Sequence, residues 1–188
     1  MRLGTWALLL FVLAPRGAWA YAGGGGDGMG LQAATSFGPR AAYYGLAGAD
    51  GGVWGAGAQM RVHMNPGTSL ELSGDFVHYA SHGTGVTSTP VQATLVGYFY
   101  PESSITPYLL LGVGWYPTHA AGPYSAPRLF GPHAGGGIEL LLGGNWSIDG
   151  SYRYLWTEIY SLTHPGRLYG EDFQERGHLF TAAINYRL

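Results

Sequence analysis

Three things are missing from this chain of 188 residues: cysteine, lysine, and any long apolar run beyond its first twenty residues. Without cysteine there are neither disulfides nor thiolate metal ligands. All nine basic residues are arginine, and charged residues make up only 11% of the chain, less than half the share usual in soluble domains. No later stretch supplies the roughly 18 uninterrupted apolar residues that a membrane-crossing helix needs. Disorder is excluded as well, because aromatics reach 14%.

Residues 1–20 read as a secretory signal. Arg2 precedes the apolar run from Trp6 to Ala14, and Ala18-Trp19-Ala20 supplies a small-residue cleavage site. The run is too short to span a bilayer as a helix. The expected domain organisation is therefore a signal peptide over 1–20 and one domain over 21–188. Removing Arg2 and Arg16, with no acid, takes the net charge from −2 to −4, which excludes a basic nucleic-acid surface. Gly23, Gly25 and Gly28 match G-x-G-x-x-G, but no strand precedes them and no helix follows, so the match carries no dinucleotide site.

What the chain does have is alternation. From Trp146 to Trp156 the even positions carry Trp, Ile, Gly, Tyr, Tyr and Trp, and the odd ones Ser, Asp, Ser, Arg and Leu. A period of two is a strand with one apolar and one polar face. The two tryptophans share a face and lie about 33 Å apart along the strand at ~3.3 Å per residue. With a tilt of about 40° this projects to roughly 25 Å, the height of an outer-membrane apolar band between its aromatic girdles. The same pattern predicts strands near 30–38, 53–64, 68–79, 90–100, 107–117, 131–142, 146–156 and 176–188. In the last seven, the apolar parity carries no charge within the expected span. Trp54, Trp115, Trp146, Tyr154 and Trp156 are the expected girdle residues.

Connections at 65–67, 101–106 and 143–145 are short. Those at 39–52, 80–89, 118–130 and 161–175 are longer and rich in Gly, Pro, His and charge. Short periplasmic turns, long outer loops and both termini inside describe an all-β, eight-stranded antiparallel up-and-down transmembrane barrel, closed because lipid tolerates no open sheet edge.

Tyr108-Leu109-Leu110-Leu111-Gly112-Val113-Gly114-Trp115-Tyr116, Gly135-Gly136-Gly137-Ile138-Glu139, Trp146-Ser147-Ile148-Asp149 and Tyr152-Arg153-Tyr154 carry a likeness. On these segments the chain resembles the small eight-stranded outer-membrane barrels similar to the transmembrane domain of outer membrane protein A. The resemblance implies an outer-membrane location, contact with lipid and lipopolysaccharide, and delivery by periplasmic chaperones to the barrel-assembly machinery. It implies a monomer without cofactor, in a structural, envelope or surface-loop role.

Seven charged residues fall on the inward parity: Arg61, Glu71, Asp75, Glu139, Asp149, Arg153 and Arg187. Eight strands enclose an interior just wide enough for side chains to fill, so these are expected to form a structural plug of ion pairs. The alternative is a narrow ion-conducting, porin-like path. With a three-residue loop at Asn65-Pro66-Gly67, Arg61 faces Glu71; with one at Gly143-Gly144-Asn145, Glu139 faces Asp149. Facing carboxylates cannot both ionise cheaply in a dry lumen, so Arg153 or Arg187 is expected to bridge them. Inward Gly112, Gly114, Gly135 and Gly137 would leave room for those long side chains.

Six histidines (His78, His82, His119, His133, His164 and His178) map to the outer rim or loops, and His63 lies near the periplasmic end. Only His78 and His82 have tight spacing, so no metal site is expected. A lipid A-modifying enzyme is the other alternative. Its nucleophile needs a base within reach; the lipid A deacylases among eight-stranded barrels resemble one another in a H-x-S element, and His78-Tyr79-Ala80-Ser81, taken with Asp75, misses that spacing, so no catalytic residues are assigned.

Overall fold

The structure, a computed structural model, describes residues 35–46, 51–81, 84–101, 103–120, 128–156, 160–161 and 176–188. The expected signal peptide, the glycine-rich lead-in, the start of the first expected strand, His82 and His164 lie outside the described residues.

Among the described residues ten strands occur in chain order: β1 (Thr35–Leu46), β2 (Val53–Asn65), β3 (Thr68–Ser81), β4 (Thr84–Ser88), β5 (Val91–Tyr98), β6 (Ile105–Ala120), β7 (Arg128–Gly143), β8 (Trp146–Trp156), β9 (Tyr160–Ser161) and β10 (Arg176–Arg187). They build eight staves. β4 and β5 are one stave: Val77↔Ser88 and Gly74↔Val91 keep a single register on β3. The break falls at Thr89-Pro90, where proline has no N–H for the ladder. Bonds continue through it all the same, from Asp75 N to Pro90 O and from Thr89 N to Pro117 O. β9 extends the β8 stave along β7 through Phe130↔Tyr160. Each neighbouring pair is antiparallel, and β1 pairs with β10 to close the ring. A closed ring leaves no edge of unpaired backbone, the condition for a sheet in hydrocarbon.

Several expected strands reach further than their alternation. β6 and β7 extend beyond 107–117 and 131–142, and much of the connection expected at 80–89 is the β3–β4 hairpin. The first strand differs most. Instead of ending near 38 it runs to Leu46 through Pro39-Arg40-Ala41-Ala42, a stretch with no clean polar–apolar alternation.

Two turns set the register. At the β2–β3 turn Gly67 N donates to Asn65 Oδ1 (3.0 Å), and pairs from Gly55↔Val77 to His63↔Ser69 share one register before a shift beside Asn65. At the β7–β8 turn Gly143 (φ 90°) and Gly144 (φ 59°) take the left-handed conformation that glycine tolerates. The turns are tighter than three-residue loops, yet the bulge beside each restores the expected pairing: Arg61 faces Glu71 and Glu139 faces Asp149.

The alternation sorts side chains by solvent. Trp54, Leu111, Leu109 and Phe76 project outward and are exposed, whereas Arg61, Glu71, Glu139, Asp149 and Arg153 are buried inside. Inside, an apolar cluster of Ala42, Tyr44, Val77, Tyr116, Leu155 and Leu179 crosses the end that carries the longer connections. A smaller one, Val96, Tyr108 and Leu110, lies toward the short-turn end.

Candidate functional site

The interior polar network is organised around arginines. Arg61 reaches inward from β2 and touches three carboxylates: Nε to Glu71 (2.8 Å), Nη1 to Glu139 (3.3 Å) and Nη2 to Asp149 (3.2 Å). Its guanidinium also lies 5.2 Å from the Tyr108 ring centre, a distance for cation–π attraction. Arg153 goes elsewhere. It donates to Glu71 (2.6 Å), Gln92 (2.9 Å) and Thr94 (3.2 Å). Arg187, a quarter exposed at the short-turn end, approaches Glu139 at 3.6 Å.

The facing pair Glu139 and Asp149 is therefore bridged by Arg61, with Arg187 assisting at Glu139, and not by Arg153. Strand pairing gives direct neighbours, but Arg61 reaches Glu139 across the lumen from a stave that is not adjacent. Hydrogen bonds complete the bridge: Ser147 donates to Glu139 (2.7 Å), and Gln59 and Asn185 donate to Asp149 (2.7 and 2.6 Å).

Arg40 is a member of the network that sequence reasoning missed. It donates to Asp75 through Nε (2.7 Å) and Nη2, and Tyr44 donates its hydroxyl proton to the same carboxylate. Asp75 thus has a fork of donors from β1, a strand expected to have ended before Arg40. A signal was available: Arg40, Ala42 and Tyr44 share the parity of an extended strand.

His133 is also corrected. It does not sit at the outer rim but is buried inside β7, with Nε2 2.9 Å from Thr94 Oγ1. Gly112 makes that possible, since a Cβ there would meet the His133 ring at 2.6 Å. Gly114 and Gly137 similarly accommodate Tyr116 and Tyr108, and a Cβ on Gly135 would run into the β8 backbone. The inward glycines make room for rings and neighbouring strands, not for the arginines.

The expected girdle residues all lie on the outward side of their strands. Trp54, Trp115, Trp146 and Trp156 are exposed, and Tyr154 packs against the Trp156 ring (4.8 Å) and the His178 ring (5.3 Å). His78, His119 and His178 are exposed; His78 contacts Thr87 (3.1 Å) and His178 contacts Tyr152 (2.7 Å). His63 lies between Ser36 and Ser69 near the short turns. No group of three or more His, Asp or Glu suited to a metal occurs among the described residues.

A closed ring of eight antiparallel staves, apolar without and ion-paired within, is the arrangement described by one family. The Outer membrane protein beta-barrel domain matches residues 5–187. The chain belongs to this family. Its place is the outer membrane. Among solved structures, this outer-membrane barrel is similar to Neisserial surface protein A, with 16% identity and a TM-score of 0.60 over 82% of this chain and 99% of that one. It is similar to Ail of Yersinia pestis, solved with the heparin analogue sucrose octasulfate, with 16% identity and a TM-score of 0.58 over 83% and 99%. It is also similar to OprG of Pseudomonas aeruginosa, with 10% identity and a TM-score of 0.56 over 83% and 96%. At such identities the likeness is one of fold. No curated protein matches the chain.

Proposed function

We propose that this barrel is a non-enzymatic structural element of the outer membrane with a closed lumen. Its longer connections face the exterior and both termini face the periplasm. One observation carries the reading: the interior is occupied by side chains at successive levels. The apolar cluster of Ala42, Tyr44, Val77, Tyr116, Leu155 and Leu179 crosses one end, and beneath it the arginines and carboxylates are paired to one another. An apolar constriction resists wetting, and paired charges leave little field to draw ions through.

A lipid A-modifying activity gains no support from this geometry. Asp75 faces the lumen and is bound to Arg40 and Tyr44, whereas His78 faces outward on the same strand. A base and its orienting carboxylate on opposite faces of one strand cannot act on one nucleophile. Consistent with the reading, the barrel works as a monomer that contacts lipid and lipopolysaccharide through its girdled wall and reaches the membrane through chaperones and the assembly machinery.

The test is conductance. Purified barrel in planar bilayers is expected to give no sustained currents; sustained multi-ion currents would overturn the closed-lumen reading in favour of a porin-like path.

A further inference from the structure

Among the described residues the interior holds four buried side-chain atoms with no hydrogen-bond partner: Arg40 Nη1, Gln59 Oε1, Ser73 Oγ and His133 Nδ1. Groups of this kind are costly to bury unsatisfied, so each calls for an explanation. The first three belong to residues on the neighbouring staves β1, β2 and β3. Gln59 and Ser73 are directly opposite across β2 and β3 and both face inward. Opposed Cα atoms in such a pair are only about 4.5–5.5 Å apart, yet the two side chains do not bond each other. Arg40 arrives from the neighbouring stave β1, paired there with Gly57, two residues from Gln59 on the same face.

The Arg40 guanidinium holds Asp75 through Nε and Nη2, and its Nη1 points to Glu71 at 3.7 Å, too far for a hydrogen bond. Asp75 and Glu71 flank Ser73 on one face of β3. The Arg40 guanidinium thus spans the two acids that flank Ser73. The Gln59 amide is oriented by its other end: Nε2 donates to Asp149 Oδ2 (2.7 Å) and Asn185 Oδ1 (3.0 Å). Because a carboxylate can only accept, the NH₂ must lie on that side and Oε1 on the free side. Arg40, Gln59 and Ser73 are 3%, 2% and 5% exposed.

We propose that Arg40 Nη1, Gln59 Oε1 and Ser73 Oγ form a binding site for one buried water molecule. The chemistry of the three atoms selects the class of ligand. Nη1 only donates, so the occupant must accept; Oε1 only accepts, so the occupant must donate. A halide has no proton to give Oε1, and a metal cation cannot accept from Nη1. Water does both and has a further bond for Ser73, the three partners typical of an internal water. The site adds a hydrogen-bonded link between Arg40–Asp75–Tyr44 beneath the apolar cluster and Gln59–Asp149–Asn185 toward the short turns, groups otherwise connected through the Arg40–Glu71 ion pair at 3.7 Å and through Arg61.

A crystal structure of the full chain at a resolution that shows ordered solvent tests this. The expected result is one solvent peak within hydrogen-bond distance of all three atoms, lost in Gln59→Leu. An empty site, Ser73 Oγ bonded directly to Gln59, or an anomalous peak at that position after a bromide or rubidium soak would overturn the proposal. Should Gln59→Leu fail to refold, the wild-type protein in micelles decides by NMR. Cross-relaxation from a long-lived water to the Gln59 Nε2 or Arg40 guanidinium protons is expected, and its absence contradicts the site.

Discussion

Arg61 is the residue whose loss should be felt most. It touches Glu71, Glu139 and Asp149, all of them buried. Removing one partner of a buried pair strands the others without compensation, at a cost of about 3–5 kcal/mol. Arg61→Met is therefore expected to lower the urea midpoint of the refolded barrel by far more than Arg187→Met, whose partly exposed head meets Glu139 at 3.6 Å and should matter by about 1 kcal/mol or less. Equal effects would contradict the network as described. Glycine gives a second contrast at this scale. A Cβ on Gly137 would lie 2.4 Å from Gly150 O and 2.5 Å from the Tyr108 ring, whereas one on Gly97 meets nothing within 4 Å. Gly137→Ala should impair folding, followed by the heat-dependent gel shift of folded barrels, and Gly97→Ala should leave it unchanged. Outside β1, which residues face inward was legible from parity, and so were partners opposed across one turn, such as Arg61 and Glu71. The Arg61–Glu139 contact was not, because it depends on how far a flexible side chain reaches across a closed ring.

Among the elements, β1 was the least legible, and the reason is chemical. Proline at position 39 reads as a strand breaker, two alanines follow, and Arg40 looks like loop charge; only closure of the barrel shows that the stretch is a stave. The seam records this irregularity. Pairing of β1 with β10 runs through Phe37↔Tyr186 and resumes at Arg40↔Ala183, skipping Gly38 and Pro39. Pro39 has no N–H to offer, and the Ile184 carbonyl turns in so closely that a Cβ on Gly38 would lie 1.7 Å from its oxygen. Outside the gap is a cleft of about 300 Å³ bordered by Phe37, Trp146 and Tyr186. Pro39→Val restores a donor at the seam. It is expected to stabilise the barrel by about 0.5–1.5 kcal/mol, the usual net value of a hydrogen bond, and to slow unfolding in denaturant. An unchanged or faster unfolding rate would show that the gap is not the weak point of the seam. β2, β3, β8 and β10, by contrast, were legible almost to the residue, since one face of each meets hydrocarbon and the other meets polar groups.

For the molecule as a whole, the number of staves was legible in the two-residue alternation with its uncharged parity, and the family and outer-membrane location in the segments that carry the resemblance. How the lumen is filled does not follow from them. The apolar cluster at one end uses inward Leu155, Leu179 and Val77, residues that in isolation read as lapses in the alternation. The account stands on which solvent meets the outer wall, and the native tryptophans report on it directly. In protein beginning at residue 21 four remain, Trp54, Trp115, Trp146 and Trp156, all exposed on the outward side, with Trp146 at the short turns and the other three toward the opposite end. The deciding measurement is quenching of their fluorescence in vesicles of lipids brominated at graded depths. Strong quenching by bromines near the headgroups, weakening toward the bilayer centre, is the predicted result. Fluorescence indifferent to brominated lipid but quenched by aqueous iodide would contradict the account.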